Sequence, residues 1–365
     1  MQDTYFSPAF GNRPHQLVGR EDVIQTILNG LTTQPGSKDR ATLVLGQRGL
    51  GKTVLLWEVA DRARKQGFVV ASPTVVSKDM PERIIEKIQD DGEQYAKDKR
   101  GKLVGGSVGA LGFSIGLQFE KEVQETKSFG YKLLQLSRRL NEQGRGILIL
   151  VDEVQANSPE LRQLVTSYLE LVGEQQNVAL VLAGLPGAMS SVLNDKVLTF
   201  LNRANKIMLG PLSIPDIDAY YRKTFDDIGI GIDPELRKHA ARATEGSPYL
   251  LQLIGHNIVL YAGDGGEVDE QTIEEAILSA QETFKQDVCS TTLAALSDKD
   301  VEFLRAMAQD EGESNISEIA DRMGVSADYA QKYRKRLMDS GVIEQARRGY
   351  VAFAVPELAG YLREG

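Results

Sequence analysis

The sequence has very few of the residues that build disulfide frameworks and metal clusters. Its 365 residues include one cysteine, Cys289, so no disulfide can form within the chain and a reducing compartment is expected. The three histidines, His15, His239 and His256, lie far apart in the sequence, and nothing indicates a His/Cys metal site. No constellation of residues supports nuclease or protease chemistry.

Long hydrophobic runs and a targeting signal are also missing. No apolar run approaches the roughly 20 residues of a membrane-spanning helix. Residues 1–6 lack the basic and apolar regions of a signal peptide. We therefore expect a cytoplasmic protein without a membrane partner. The net charge is −9, so contact with nucleic acid would require a local basic patch.

The composition is that of an ordinary globular protein, with 42% hydrophobic and 25% charged residues, and the length predicts two or three domains. Residues 1–210 alternate short apolar runs with helical patterns, residues 211–290 are helical, and residues 291–365 form a further small unit. Continuous apolar runs are typical of a parallel sheet buried on both faces. The five predicted strands are 41–45, 68–72, 147–151, 178–182 and 205–209.

A glycine-rich stretch at residues 101–119 interrupts this alternation. Phe113, Ile115, Leu117 and Phe119 alternate with small or polar residues, which is the pattern of an inserted hairpin. The glycine content favours a surface insert or flexible loop over the hairpin. A partner-binding loop is a third interpretation.

Residues 46–53, Gly-Gln-Arg-Gly-Leu-Gly-Lys-Thr, fit the phosphate-loop pattern G-x-x-x-x-G-K-[ST] between a predicted strand and a predicted helix. Backbone N–H groups of such a loop cradle phosphates, and the helix dipole adds positive charge. Lys52 is expected to reach the β- and γ-phosphates of ATP, and the Thr53 hydroxyl to hold Mg²⁺. The expected nucleotide contacts are Gly46, Gln47, Arg48, Gly49, Leu50, Gly51, Lys52, Thr53 and Val54.

Two acidic residues follow the strand predicted at 147–151. Asp152 and Glu153 would therefore lie at the carboxyl edge of the sheet, beside the phosphate loop. Asp152 is expected to hold Mg²⁺ through water, and Glu153 to orient and polarise the water that attacks ATP. The alternative is two ordinary surface acids.

Together these motifs resemble those of AAA+ ATPases of the additional-strand class. The chain is most similar to ATPases related to origin-recognition proteins and to signal-transducing STAND ATPases. The resemblance implies an α/β P-loop NTPase with a parallel sheet of order 5-1-4-3-2, a helical lid over residues 211–290 and a C-terminal winged helix. It also implies that residues 17–21 lie against the adenine and that the lid turn contacts the nucleotide. The residues concerned are Val18, Gly19, Arg20 and Pro248.

Two positions depart from the family pattern, and one arginine follows it. The fourth strand is followed by Ala183-Gly184-Leu185-Pro186, without a polar sensor of the γ-phosphate, and Tyr249 stands where origin-type relatives have a lid arginine. These departures move the chain toward STAND-like proteins. Arg203 precedes the fifth strand, where AAA+ proteins keep an arginine that acts on a neighbouring subunit's nucleotide. Its alternative is a solvated arginine at a helix end.

The last unit has helix-turn-helix spacing, with helices at 315–324 and 327–338, followed by a hairpin at 341–353. It resembles a winged helix. Basic side chains on the helix at 327–338 and on the hairpin, the wing of this fold, form a local patch suited to double-stranded DNA. The predicted DNA contacts are Lys332, Lys335, Arg336, Arg347 and Arg348. Winged helices also dock proteins or cover nucleotides.

Two main hypotheses of function follow. The first is an enzyme, an ATPase that hydrolyses ATP to ADP and phosphate and couples nucleotide state to DNA binding, with a homo-oligomer as one possible assembly. The second is a STAND-like regulator whose winged helix docks its own lid or an unknown protein partner. A nucleotide-binding scaffold without catalysis is disfavoured because Lys52, Thr53, Asp152 and Glu153 are all present.

Overall fold

The computed structural model describes residues 5–8, 13–98, 128–155, 157–263 and 266–364. The glycine-rich stretch 101–119 lies outside these residues. Elements of the first domain alternate as the sequence predicts. They are α1 (Glu21–Thr32), a 3₁₀ turn (Lys38–Arg40), β1 (Ala41–Leu45), α2 (Lys52–Lys65), β2 (Val69–Val75), α3 (Met80–Asp98), α4 (Phe129–Glu142), β3 (Ile147–Asp152), α5 (Pro159–Gly173), β4 (Val178–Gly184), α6 (Pro186–Leu193), a 3₁₀ helix (Thr199–Arg203) and β5 (Asn205–Met208).

The five strands form one parallel sheet in the order β2-β3-β4-β1-β5. Read from the β5 edge, this is 5-1-4-3-2. Every residue of β1, β3 and β4 is buried, because separate clusters of apolar side chains cover the two faces of the sheet. Burial on both sides explains why these strands read as continuous apolar runs.

The lid consists of four helices with well-defined starts. All four are capped by side chains, those of Ser213, Asp233, Ser247 and Asp269, and the first three of these helices have proline in the first turn. A short pairing of β6 (Gly231–Ile232) with β7 (Glu267–Val268) links the helix connections. The helices are α7 (Ile214–Ile228), α8 (Pro234–Ala243), α9 (Pro248–Ala262) and α10 (Glu270–Phe284).

The C-terminal unit contains a helix-turn-helix and a three-stranded sheet of order β8-β10-β9. A π-helical segment, Lys285–Ser290, leads from α10 straight into it. Among the described residues, no helix is both long and apolar enough to cross a membrane. The elements are α11 (Thr291–Ala294), α12 (Asp298–Met307), β8 (Ser314–Asn315), α13 (Ile316–Met323), α14 (Ala327–Asp339), β9 (Ile343–Arg347), β10 (Tyr350–Phe353) and α15 (Leu358–Glu364).

The buried core continues across the boundary predicted at residues 290 and 291. One cluster of buried apolar side chains contains Phe225 and Ile254 of the lid together with Phe303 and Leu337 of the C-terminal unit. Phe6, from the start of the chain, belongs to the same cluster. The lid and the C-terminal unit are therefore joined by a shared core as well as by a helix.

Candidate nucleotide-binding site

The phosphate loop and the ends of two strands meet at the carboxyl edge of the sheet. The phosphate loop follows β1, Asp152 ends β3, and Gly184 ends β4. Leu45 at the end of β1 is in register with Gly184, and the Gly46 N–H donates to the Gly184 carbonyl oxygen at 3.3 Å. The parallel register thus brings the two predicted motifs to one place.

The phosphate loop has the backbone of an anion cradle. Gly49 and Gly51 both have φ +78, in the left-handed region that glycine adopts without steric cost. Gly51 caps α2 without a side chain, which leaves the first N–H groups of that helix available to an anion. The Lys52 ammonium donates to the carbonyl oxygens of Gly46 at 2.8 Å and Gln47 at 2.6 Å.

Burial lowers the pKa of Lys52 to about 8, and the carboxylates of Asp152 and Glu153 oppose this shift. The ammonium has exchanged much of its water for carbonyl oxygens, so its charged form is less stable than in solution. A polyphosphate in the loop would favour the charged form again, since an opposite charge nearby raises the pKa of a lysine.

The hydroxyl of Thr53 donates to Oδ2 of Asp152 at 2.5 Å. Asp152 is buried, and its Oδ1 accepts the backbone N–H of Glu153 at 2.9 Å. Glu153 has φ +51, an unusual conformation for a residue other than glycine and one that clusters at functional sites. Its side chain is exposed at the sheet edge.

The predicted adenine-side residues join the phosphate loop to the lid. Arg20 is buried and donates to the carbonyl oxygens of Gly210 at 2.6 Å and Leu50 at 3.4 Å, and burial lowers the pKa of its guanidinium. Val18 lies in the core cluster of the lid. A Cβ atom on Gly19 would be 3.1 Å from Asp216 Oδ2.

The lid reaches the loop through Pro248, whose Cγ is 3.8 Å from the position of a Cβ atom on Gly51. Tyr249, at the position of the lid arginine in relatives, donates its hydroxyl to Asp287 at 2.7 Å. Asp287 belongs to the π-helical segment. The tyrosine thus links the start of α9 to the helix that leads into the C-terminal unit.

The remaining predicted residue of the ATPase domain, Arg203, is exposed at the end of the 3₁₀ helix before β5. Because β5 runs parallel to β1, Arg203 lies at the sheet edge opposite its own phosphate loop. Its guanidinium makes no hydrogen bond or ion pair with the described residues.

The five predicted DNA-contacting residues fall into two groups. Lys332, Lys335 and Arg348 are exposed, without a hydrogen bond or ion pair to any residue that the structure describes. Arg336 donates to Asp300 and Ser297. Arg347 is paired with Glu313 at 2.7 Å and lies over the ring of Tyr350. Two of the five thus already have partners within the unit.

Sequence reasoning missed a contact between the C-terminal unit and the nucleotide site. The turn after α14 lies against the phosphate loop and the start of α6, where a Cβ atom on Gly341 would be 2.6 Å from Gln47 Oε1. A Cβ atom on Gly187 would be 2.7 Å from Asp339 Cα. No local pattern in the sequence reports contacts between such distant residues.

Comparison with known protein families agrees with this geometry. Residues 16–182 match the family model of the AAA ATPase domain. The chain contains an AAA ATPase domain. The match covers the phosphate loop and the Asp152-Glu153 pair of that domain. Residues 286–362 match a second family, described as a domain of unknown function (DUF8462). No curated protein matches the sequence.

Solved structures share the fold over nearly the whole chain. The Walker-type ATPase of Pyrococcus abyssi is 16% identical, with a TM-score of 0.68 over 96% of this chain and 97% of its own. The ORC2 protein of Aeropyrum pernix, in ADPNP-ADP complexes, is 16% identical, with a TM-score of 0.65 over 98% and 95%. CDC6P from Pyrobaculum aerophilum is 14% identical, with a TM-score of 0.50 over 98% and 96%.

Proposed function

We propose that this protein binds ATP with Mg²⁺, hydrolyses it, and uses its nucleotide state to control DNA binding by a C-terminal winged helix. The observation that carries the proposal is the hydrogen bond of 2.5 Å from Thr53 to Asp152. It brings the last residue of the phosphate loop onto the acidic pair at the end of β3. This contact supports phosphate binding and water activation at the same edge of the sheet.

The described side chains fit the expected ligand. The Thr53 hydroxyl and the Asp152 carboxylate are oxygen donors of the kind that Mg²⁺ prefers, and they would hold the ion directly and through water. When bound, Mg²⁺ supplies positive charge against the β- and γ-phosphates. Lys52 would leave the carbonyl oxygens of Gly46 and Gln47 for the same phosphates. The loop amides would donate to the remaining phosphate oxygens.

Glu153 is the residue that would direct hydrolysis. Its carboxylate orients a water molecule toward the γ-phosphorus. The water oxygen bonds to that phosphorus, the bond to the β–γ bridging oxygen breaks, and ADP and inorganic phosphate leave. Glu153 accepts the proton that the water loses. An Arg203 contributed by a second copy of the chain would stabilise the charge that develops on the phosphoryl group.

Support for DNA as the partner comes from the shape and charge of the C-terminal unit. A helix-turn-helix followed by an antiparallel hairpin is the topology of a winged helix. Lys332 and Lys335 project from the second helix of the pair, and Arg348 lies at the tip of the hairpin. In this class of fold these two elements meet the groove and the backbone.

The test of the proposal is ATP turnover by the purified protein, measured with and without Mg²⁺ and duplex DNA. We expect Mg²⁺-dependent turnover and a DNA affinity that differs between the ADP-bound and ATP-bound protein. Failure of the protein to bind ATP would overturn the nucleotide part. DNA binding that is equal in all nucleotide states would overturn the coupling.

A second candidate function is a regulator whose C-terminal unit docks on its own ATPase domain or on another protein. The observation that favours it is the contact of the α14 end with the first turn of α6. Very slow turnover together with no salt-sensitive affinity for DNA would favour this candidate.

A further inference from the structure

The C-terminal unit lies against the phosphate loop at Gly341. Gly341 follows α14 with φ +73, and a Cβ atom there would be 2.6 Å from Gln47 Oε1 and 2.9 Å from Leu185 Cδ2. A Cβ atom there would displace the ends of both side chains, and glycine adopts this left-handed conformation without steric cost. Oε1 of Gln47 is buried and has no hydrogen-bond partner among the described residues.

Gln47 is also connected to the nucleotide site through its backbone, because the ammonium of Lys52 donates to its carbonyl oxygen at 2.6 Å. A phosphate competes for the same ammonium, since the loop lysine binds β- and γ-phosphates. We propose that Gln47 relays nucleotide state to the C-terminal unit: ATP draws Lys52 away from Gln47, and the loop then releases the Gly341 turn. This inference rests on the proposed binding of ATP.

A second contact fixes the position of α14. Gly187, in the first turn of α6, lies so close to α14 that a Cβ atom would be 2.5 Å from Asp339 Oδ1 and 2.7 Å from Asp339 Cα. The carboxylate of Asp339 also lies near the positive end of the α6 dipole. Because Asp339 is only two residues before Gly341, movement of the Gly341 turn would also pull Asp339 away from Gly187 and free the end of the helix that carries Lys332 and Lys335.

The surroundings of the contact leave room for such a movement. A cavity of about 450 Å³ lies beside it. Because the cavity adjoins the turn, the C-terminal unit can shift there together with the lid, whose core it shares, without opening that core. Its lining includes Gln47, Pro186 and Met208 of the ATPase domain and Phe353, Pro356 and Glu357 of the C-terminal unit.

The experiment is hydrogen–deuterium exchange of residues 337–342 in the full chain, without nucleotide and with a non-hydrolysable ATP analogue. We expect the analogue to raise the exchange rate of this segment in the parental protein several-fold. Gly187→Ala should give the fast rate without nucleotide, because the added methyl group displaces the Asp339 backbone. Alanine suits the helical conformation at this position, so α6 itself should remain folded.

Matched controls separate loss of the contact from loss of stability. Gly173→Ala adds a methyl group to a helical glycine with nothing within 4 Å, and it should behave as the parental protein. Gly341→Ala and Gly349→Ala both place alanine at a positive φ, but only position 341 faces the phosphate loop. Gly341→Ala should abolish the nucleotide response, and Gly349→Ala should keep it.

Nucleotide titration of the same samples distinguishes the two proposals. If the analogue binds but the exchange of residues 337–342 does not change, the relay is wrong and nucleotide binding stands. The relay is also wrong if Gly187→Ala responds to the analogue as the parental protein does. If the analogue does not bind at all, the proposed function fails and the relay fails with it.

Discussion

The hydrogen bonds and the burial of Lys52 set the pKa of its ammonium group. It is held by two carbonyl oxygens of its own loop, and burial lowers its pKa to about 8. Burial makes the lysine easier to deprotonate, whereas a bound phosphate favours its protonated form. Protonation of Lys52 and binding of nucleotide are therefore linked.

We predict that the affinity for ATP falls as the pH rises above about 8, by up to about tenfold per pH unit, because the neutral lysine must gain a proton before it can meet the phosphates. Calorimetric titrations in two buffers of different ionisation enthalpy should show proton uptake at pH 9. Lys52→Arg keeps its charge and should bind ATP with little dependence on pH. Lys52→Ala should lose tight binding at every pH.

Glu153 tests the assignment of the hydrolytic step. Glu153→Gln should bind ATP and Mg²⁺ as the parental protein does but hydrolyse ATP at least about a hundredfold more slowly, since only the group that orients water and accepts its proton is lost. Asp152→Asn should instead weaken Mg²⁺-dependent binding. Single-turnover kinetics with a phosphate sensor measure the rate, and parental turnover by Glu153→Gln would place catalysis elsewhere.

At the scale of elements, local sequence signals carried most of the information. Buried strands appear as unbroken apolar runs, and Pro215, Pro234 and Pro248 mark helix starts. The same local reasoning placed Arg336 on an outward face of its helix. It could not show that the start of α12 lies opposite, where Asp300 meets this guanidinium at 2.5 Å. That pairing depends on how two helices pack, which no periodicity reports.

The basic patch therefore divides into side chains with different expected effects. Lys335→Ala with Arg348→Ala should weaken DNA binding across sequences and lower the slope of log affinity against log salt by about one unit for each lost phosphate contact. The midpoint of thermal unfolding should barely change, since isolated exposed charges contribute little to stability. Fluorescence anisotropy over a salt series measures the DNA affinity and its slope against salt concentration.

Arg336→Ala is the matched comparison. It leaves the buried Asp300 carboxylate without its ionic partner and should destabilise the fold by on the order of 2 kcal/mol. A large loss of stability from the double variant would contradict the separation of the patch into side chains without partners and side chains that stabilise the fold. The absence of any DNA affinity in the parental protein at low salt would favour the docking role instead.

At the scale of the whole molecule, the structure adds long-range contacts that the sequence did not reveal. Phe6 is buried in the lid among Tyr220, Tyr221 and Phe225, although the sequence groups it with the alternating strands and helices of residues 1–210. The contact of Gly341 with Gln47 joins residues near opposite ends of the chain. Such contacts arise from tertiary packing, whereas motifs and periodicities describe only neighbouring residues.

Arg203 offers a test of assembly at this scale. Arg203→Ala should bind ATP normally but hydrolyse it about a thousandfold more slowly, if a neighbouring copy supplies the arginine. Turnover by the parental protein should then rise more steeply than its concentration. Activity strictly proportional to concentration, together with an unaffected variant, would leave Arg203 as a surface residue. Equilibrium sedimentation over the same concentrations measures assembly independently.

The helix that crosses from the lid into the C-terminal unit would act as a lever arm if the proposed nucleotide binding rotates the lid. Helical backbone runs from Glu270 through the π-helical segment to Ala294, a rod of roughly 35 Å at the usual rise per residue. A lid rotation of about 10° would sweep the far end of such a rod through about 6 Å. A small rotation of the lid beside the phosphates would thus move the far end of the helix by about the length of one helical turn.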